Sequence, residues 1–154
     1  MERIEAIKEI MDSIEDELVI TSAGMIGREV YAVKDRPENF YVMGSMGASL
    51  GIGIGLALNT NKKVLVIAGD GEVLMSLGTL VLMNKLELPN LSLVILDNNC
   101  YQTTGRQKTC SDAVDFSKIC DCEVIEVEAG EGKAGRIGIP HRDIVRRFRN
   151  AVSM

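Results

Sequence analysis

Basic residues are in the minority, with 17 Lys and Arg against 22 Asp and Glu and a net charge of −5. That balance gives no electrostatic footprint for wrapping nucleic acid. It leaves room for an anionic ligand held locally, because a few backbone amides or one metal ion outweigh a mild global charge. Cysteine is scarce: Cys100, Cys110, Cys120 and Cys122 contain no CxxC pair, which argues against a zinc ribbon or a redox dithiol. Free thiols in a reducing cytoplasm are the expected state. The 3 prolines and 15 glycines follow no strict period, so collagen-like and low-complexity classes are excluded. An uninterrupted apolar run is missing as well. Residues 40–60 carry no charge, but Gly44, Gly47, Gly51, Gly53, Gly55, Ser45 and Ser49 interrupt them. A membrane span needs about 20 strongly apolar residues, so a Gly-rich helix packed closely on a sheet or another subunit is expected instead. The amino-terminal MERIEAIKEIMDSIEDEL is charged throughout, and no signal peptide is expected.

What remains is a chain of 154 residues, 46% hydrophobic and 25% charged, which suits one domain with a self-standing core over residues 1–154. Ile4, Ile7, Ile10, Met11 and Ile14 predict an amphipathic helix over 2–14. Strands are expected at 17–21, 40–43, 63–69, 91–97 and 123–129. Helices are expected at 24–34, 46–59, from Gly71 through Lys85, at 114–120 and at 140–152, the last with Pro140 in its first turn. Residues 99–112 read as a polar loop. The strands are continuous apolar runs, as a parallel sheet covered on both faces requires. The expected fold is an open, doubly wound α/β domain with a mostly parallel sheet and helices on both faces, which binds ligands at the carboxyl ends of its strands.

Three polar elements follow predicted strands: Gly44-Ser45-Met46-Gly47, Gly69-Asp70-Gly71 and Asp97-Asn98-Asn99-Cys100-Tyr101. Parallel strands would bring all three to one edge. There Asp70 offers a carboxylate, Asn98 an amide oxygen and the next loop a backbone carbonyl. These hard oxygens are too few for a calcium cage but suit magnesium, which completes an octahedral shell with phosphate and water. Gly71 opens a helix whose first amides could face a phosphate. Asn98 follows Asp70 by 28 positions, enough for a helix, a turn and a strand that return the chain to the same edge.

GDG (69–71), 26 residues and then NN (98–99) resemble the diphosphate-binding domain of thiamine-diphosphate enzymes. The resemblance runs over about residues 17–150. It implies thiamine diphosphate and Mg²⁺ as cofactors, with Asp70, Asn98 and the Cys100 carbonyl as metal ligands and Asn99 a less favoured alternative to Asn98. It implies that Gly71 and Glu72 offer amides to the diphosphate, that Met46 wedges the cofactor into a bent shape, and that the Gly44 carbonyl meets its 4′-amino group. Ser45, Gly69 and Tyr101 complete the expected cofactor-binding set. TSAGMIGREVYA (21–32), FYVMGSMGASLGIGIGLAL (40–58) and LDNNCYQTTGRQKT (96–109) look like the branch that decarboxylates sulfopyruvate, with the phosphonopyruvate branch next.

In this family a Glu from a separate pyrimidine-binding domain starts proton transfer on the cofactor. No such domain is recognisable here, so an alpha-type partner subunit carrying it is expected. Arg106 and Lys108 are candidates for an anionic 2-oxo acid substrate. Arg28 is a weaker candidate that more often pairs with a surface carboxylate. Arg142, Arg146 and Arg149 read as a solvent-facing stripe. His141, the only histidine, has no partner in sequence, and Cys120 and Cys122 are expected to pack. A nicotinamide fingerprint fails because Gly51, Gly53 and Gly55 lie inside a helix. An acetolactate-synthase-like or transketolase-like chemistry and a regulatory subunit with a degenerate site are the remaining alternatives.

Overall fold

The runs VLVIAG and LSLVILD are apolar on both faces, so only the middle of a sheet covered on both sides hides them. The computed structural model, which describes residues 1–153, places them there. The strands are β1 (Leu18–Thr21), β2 (Asn39–Tyr41), β3 (Val64–Gly69), β4 (Leu91–Asp97), β5 (Cys100–Tyr101), β6 (Gln107–Lys108) and β7 (Glu123–Glu126). Five of them form one sheet in the order β2-β1-β3-β4-β7, with every neighbouring pair parallel. The remaining two, β5 and β6, form a small antiparallel hairpin. The helices are α1 (Arg3–Ser13), α2 (Met25–Val33), α3 (Ser49–Ala57), α4 (Asp70–Met75), α5 (Leu77–Leu86) and α6 (His141–Ser153).

Alternate residues of the strands feed two cores. Leu18, Ile20, Val66, Leu93 and Ile95 pack under α3, α4 and α5 through Leu50, Ile54, Val73 and Leu80. Val19, Ile67, Val94 and Leu96 face the other way, onto Ile7 and Met11 of α1 and Ile26 and Val30 of α2. The chain leaves β1 outward to β2 and then returns to β3 on the other side. The reversal point between β1 and β3 is where a doubly wound sheet opens a crevice at its carboxyl edge. No helix among the described residues is long and apolar enough to cross a membrane.

The expected elements are present, but the strands expected at 40–43 and 123–129 run only Asn39–Tyr41 and Glu123–Glu126, and four further local differences occur. The helix expected from Met46 starts at Ser49, because residues 45–48 are taken up by a turn in which the Ala48 amide meets the Ser45 carbonyl at 3.2 Å. The helix expected through Lys85 is broken at Ser76. The Ser76 hydroxyl donates back to the Glu72 carbonyl at 3.3 Å, and such back-bonding competes with the helix ladder. Residues 116–118 form only a 3₁₀ turn, where the Asp115 carboxylate accepts from the Ser117 hydroxyl at 2.6 Å. The polar loop at 99–112 contains the β5–β6 hairpin.

At the β2 edge α6 is clasped by charge. Arg147 donates to both oxygens of Asp35, and the Tyr41 hydroxyl donates to the same carboxylate at 2.8 Å. Arg142, Arg146 and Arg149 are exposed, as their stripe suggested. Arg28 forms no ion pair among the described residues; it leans on the Met25 sulfur at 3.9 Å, so the expected surface carboxylate is not its partner.

Helix α3 approaches the sheet closely. A Cβ built on Gly53 would lie 2.3 Å from Cγ2 of Val66, so only glycine fits without movement in β3. Gly51, on the same helix, has nothing within 4 Å of a built Cβ. Gly53→Ala is therefore expected to lower unfolding free energy by about 1–3 kcal/mol, as overpacking does. Gly51→Ala is expected to leave it unchanged or raise it by up to about 1 kcal/mol, from helix propensity. Urea unfolding of the two variants side by side checks this.

Candidate active site

The carboxyl edge at the β1/β3 reversal opens into a cavity of about 330 Å³. That volume is at the low end of the roughly 300–1,000 Å³ typical of small-molecule sites. Gly44, Met46, Gly69, Asp70, Gly71, Glu72, Asn98, Cys100 and Tyr101 all line it. Three separate strand ends, β2, β3 and β4, thus deliver their polar elements to one place. The fourth wall is Ser22, Ala23 and Gly24, which follow β1. Ser45 is exposed and is not part of the lining, and Asn99 is likewise outside it.

Asp70 stands at the end of the central strand and is only 2% exposed. Burial pushes its carboxyl up from the ordinary aspartate range, and the nearby Asp97 charge adds to this. The Thr109 hydroxyl opposes the shift by donating to Asp70 Oδ2 at 2.5 Å, and the amides of Asn98 and Gly71 also face the carboxylate. Thr109 is in turn set by Ser111, whose hydroxyl lies 3.0 Å from that of Thr109, 3.0 Å from Asp97 Oδ1 and 2.9 Å from Asn99 Oδ1 and has one hydrogen to share among them. The β5–β6 hairpin is what folds Thr109 back over Asp70, since the Thr109 amide closes onto the Asn99 carbonyl at 3.1 Å. Thr109 and Ser111 were not singled out in the sequence, where both are small polar residues in a polar loop.

Glu72 is buried too, and burial raises its carboxyl from the usual glutamate range. The amide and hydroxyl of Ser49 donate to Oε1 at 3.1 and 2.5 Å, and the amides of Ala23 and Gly47 face the same group. Its side chain therefore ties the loops after β1 and β2 together. Gly71 has a second reason to be glycine. A built Cβ would come within 2.5 Å of the Tyr101 ring, so Tyr101 packs directly on the start of α4.

Asn98 donates through Nδ2 to Gln102 Oε1 at 3.2 Å and accepts the Cys100 amide on Oδ1 at 3.1 Å. Cys100 pairs with Lys108 across the hairpin. Its thiol is pushed up by burial first and then by the Asp70 charge, which disfavours the thiolate. Cys122 is pushed up to about 12, by burial first and then by Cys120, whose own thiol is also pushed up by burial. His141 is exposed at the start of α6 and does not line the cavity.

Met46 is 43% exposed on the cavity wall, so it is not an ordinary core methionine. Arg106 and Lys108 are exposed and do not line the cavity; Arg106 reaches Glu131 at 3.2 Å. The basic side chain that does line it is Arg3, from α1. Arg3 is 8% exposed and paired with the buried Glu29, which packs from α2. Nothing in the sequence marks it, because an arginine at a helix start usually faces water.

The donor set suits a hard divalent cation beside an anion. Buried Asp70 and Asn98 both line the cavity, and a buried carboxylate held by hydrogen bonds alone is favoured further when a cation joins it. The open, glycine-bearing wall at Gly69 and Gly71 leaves backbone accessible to a ligand.

Fold and cavity together define a doubly wound α/β domain with its ligand site at the switch point. The family model described as thiamine pyrophosphate enzyme, C-terminal TPP binding domain, matches residues 20–129, and the chain belongs to this family. It is 47% identical, over 79% of its length, to the sulfopyruvate decarboxylase subunit beta of Methanothermobacter thermautotrophicus. It is 42% identical, over 84% of its length, to the subunit of the same name from Methanocaldococcus jannaschii. A phosphonopyruvate decarboxylase of Streptomyces viridochromogenes is 38% identical over 76% of the chain. The chain spans 65% and 71% of the two beta subunits and 30% of the phosphonopyruvate enzyme.

Thr109→Val removes the donor to a buried carboxylate and is expected to cost about 1–3 kcal/mol of unfolding free energy. Thr109→Ser keeps the hydroxyl and is expected to cost less than about 1 kcal/mol by the same reasoning. Denaturant unfolding at neutral pH distinguishes them.

Proposed function

We propose that this chain is the diphosphate-binding subunit of a thiamine-diphosphate- and Mg²⁺-dependent 2-oxo acid decarboxylase, acting on 3-sulfopyruvate to give sulfoacetaldehyde and CO₂ on the route to coenzyme M. The observation that carries the reading is the convergence of buried Asp70 with Asn98 on one cavity at the β1/β3 switch point. The identity to beta subunits named for sulfopyruvate decarboxylase supports the substrate.

In this reading Asp70, Asn98 and the Cys100 carbonyl hold Mg²⁺, and the amides of Gly71 and Glu72 orient the diphosphate. Bound thiamine diphosphate supplies an electron sink for the carbon that loses CO₂. The protein's part is to position it and exclude water. Met46 and Tyr101 wall the cavity with apolar surface, and Glu72 fixes the loops that carry Gly44 and Ala23. Thr109 opposes the burial-driven rise of the Asp70 carboxyl and aims it. The proton-transfer glutamate comes from an alpha-type partner subunit in the cytoplasm, consistent with the beta-subunit names of the relatives. Arg3 lines the cavity, but its guanidinium is taken up by Glu29 and Gln102 and is not assigned to the substrate.

The test is decarboxylation by this chain mixed with an alpha-type subunit, Mg²⁺ and thiamine diphosphate, with sulfopyruvate, phosphonopyruvate and pyruvate in parallel. Sulfopyruvate turnover that needs both chains is expected. Asp70→Ala should reduce it by about 100-fold or more, since even indirect partners of a metal typically cost 10–100-fold. Turnover of phosphonopyruvate in preference would replace the substrate. Full activity from this chain alone would overturn the split site.

A further inference from the structure

Resting on the reading of Asn98 as a metal ligand, we propose that Arg3, through Gln102, is the residue that fixes which end of the Asn98 amide faces the metal. An asparagine amide has two nearly isosteric ends, and only the oxygen ligates a hard cation. Something must therefore choose between two orientations related by a half-turn.

The choice is made by a chain of groups with no freedom. Arg3 is held by Glu29 through two bonds, Nε to Oε2 at 2.7 Å and Nη2 to Oε1 at 2.9 Å. Glu29 is 3% exposed, so the pair is locked in a dry setting. A guanidinium has donors only. Its remaining arm, Nη1, meets Gln102, which must present Oε1 to it. The donor-only guanidinium thus fixes the Gln102 oxygen as an acceptor. That oxygen also faces Asn98, which can answer only with its NH₂, at 3.2 Å. The Asn98 oxygen is turned the opposite way, where it accepts the Cys100 amide at 3.1 Å. A carboxamide oxygen has two lone pairs, so one is left for a cation. Arg3 and Gln102 are positioning residues here, and the orientation of Asn98 is set from α1, outside the motif that carries the ligands.

Calorimetric titration of Mn²⁺ with thiamine diphosphate into the full chain tests this without any turnover. Gln102→Met removes the acceptor while leaving the Arg3–Glu29 pair intact, and is expected to weaken Mn²⁺ about tenfold. Gln102→Glu keeps an acceptor toward both neighbours and is expected to stay within about threefold of wild type by the same logic. A paired replacement, Arg3→Met with Glu29→Met, leaves no buried lone charge and is expected to resemble Gln102→Met. Asn98→Asp presents oxygen at both ends, so in that background Gln102→Met should have less than a twofold effect. Wild-type affinity in Gln102→Met, with affinity lost in Asn98→Ala, would overturn the relay and leave the site standing. Wild-type affinity in Asn98→Ala would overturn the ligand assignment, and the relay with it.

Discussion

A carboxylate buried at the end of the central strand is the constraint on which this site depends. Asp70 cannot keep its charge in an apolar setting unless the protein replaces the lost water. Much of the polar structure around it does so. The Thr109 hydroxyl, held through Ser111, and the amides of Asn98 and Gly71 all face it. Since Thr109 lies 39 positions further along the chain, the arrangement requires the β5–β6 hairpin to fold back over β3. The parallel sheet makes that feasible, because every strand of it ends on the same side.

The site is layered around that carboxylate. Asp70, Asn98 and the glycine-bearing wall form the face toward the cavity. Glu72 ties the loops after β1 and β2 behind it through Ser49, Ala23 and Gly47. Arg3, paired with Glu29 behind it, lines the cavity and reaches Asn98 through Gln102. The polar groups lining this cavity are thus each held by hydrogen bonds from neighbouring elements.

The strand pattern was legible because buried parallel strands are written as apolar runs. The three strand-end motifs were legible because parallel strands must release them at one edge. Nine of the expected residues share one cavity for that reason. Other features could not be read locally. Ser76 marks a helix break where its hydroxyl donates to the Glu72 carbonyl, and nothing sets it apart from other helical serines in the sequence. Arg3 and Glu29 lie 26 positions apart on separate helices, and their pairing exists only once α1 packs on α2. Arg106 and Lys108 looked suitable because they follow the motif in sequence, yet the hairpin carries both outward to solvent. Adjacency along the chain is a poor guide to adjacency in a site built from strand ends.

In the proposed function, Asp70 anchors a divalent cation that in turn holds a diphosphate in this cavity. Titration of thiamine diphosphate into the chain with Mg²⁺, and again with Mg²⁺ removed by a chelator, tests it most directly. Saturable binding that requires Mg²⁺ and disappears in Asp70→Ala is the predicted result. Binding of equal strength without the metal, or undiminished in Asp70→Ala, would contradict the account.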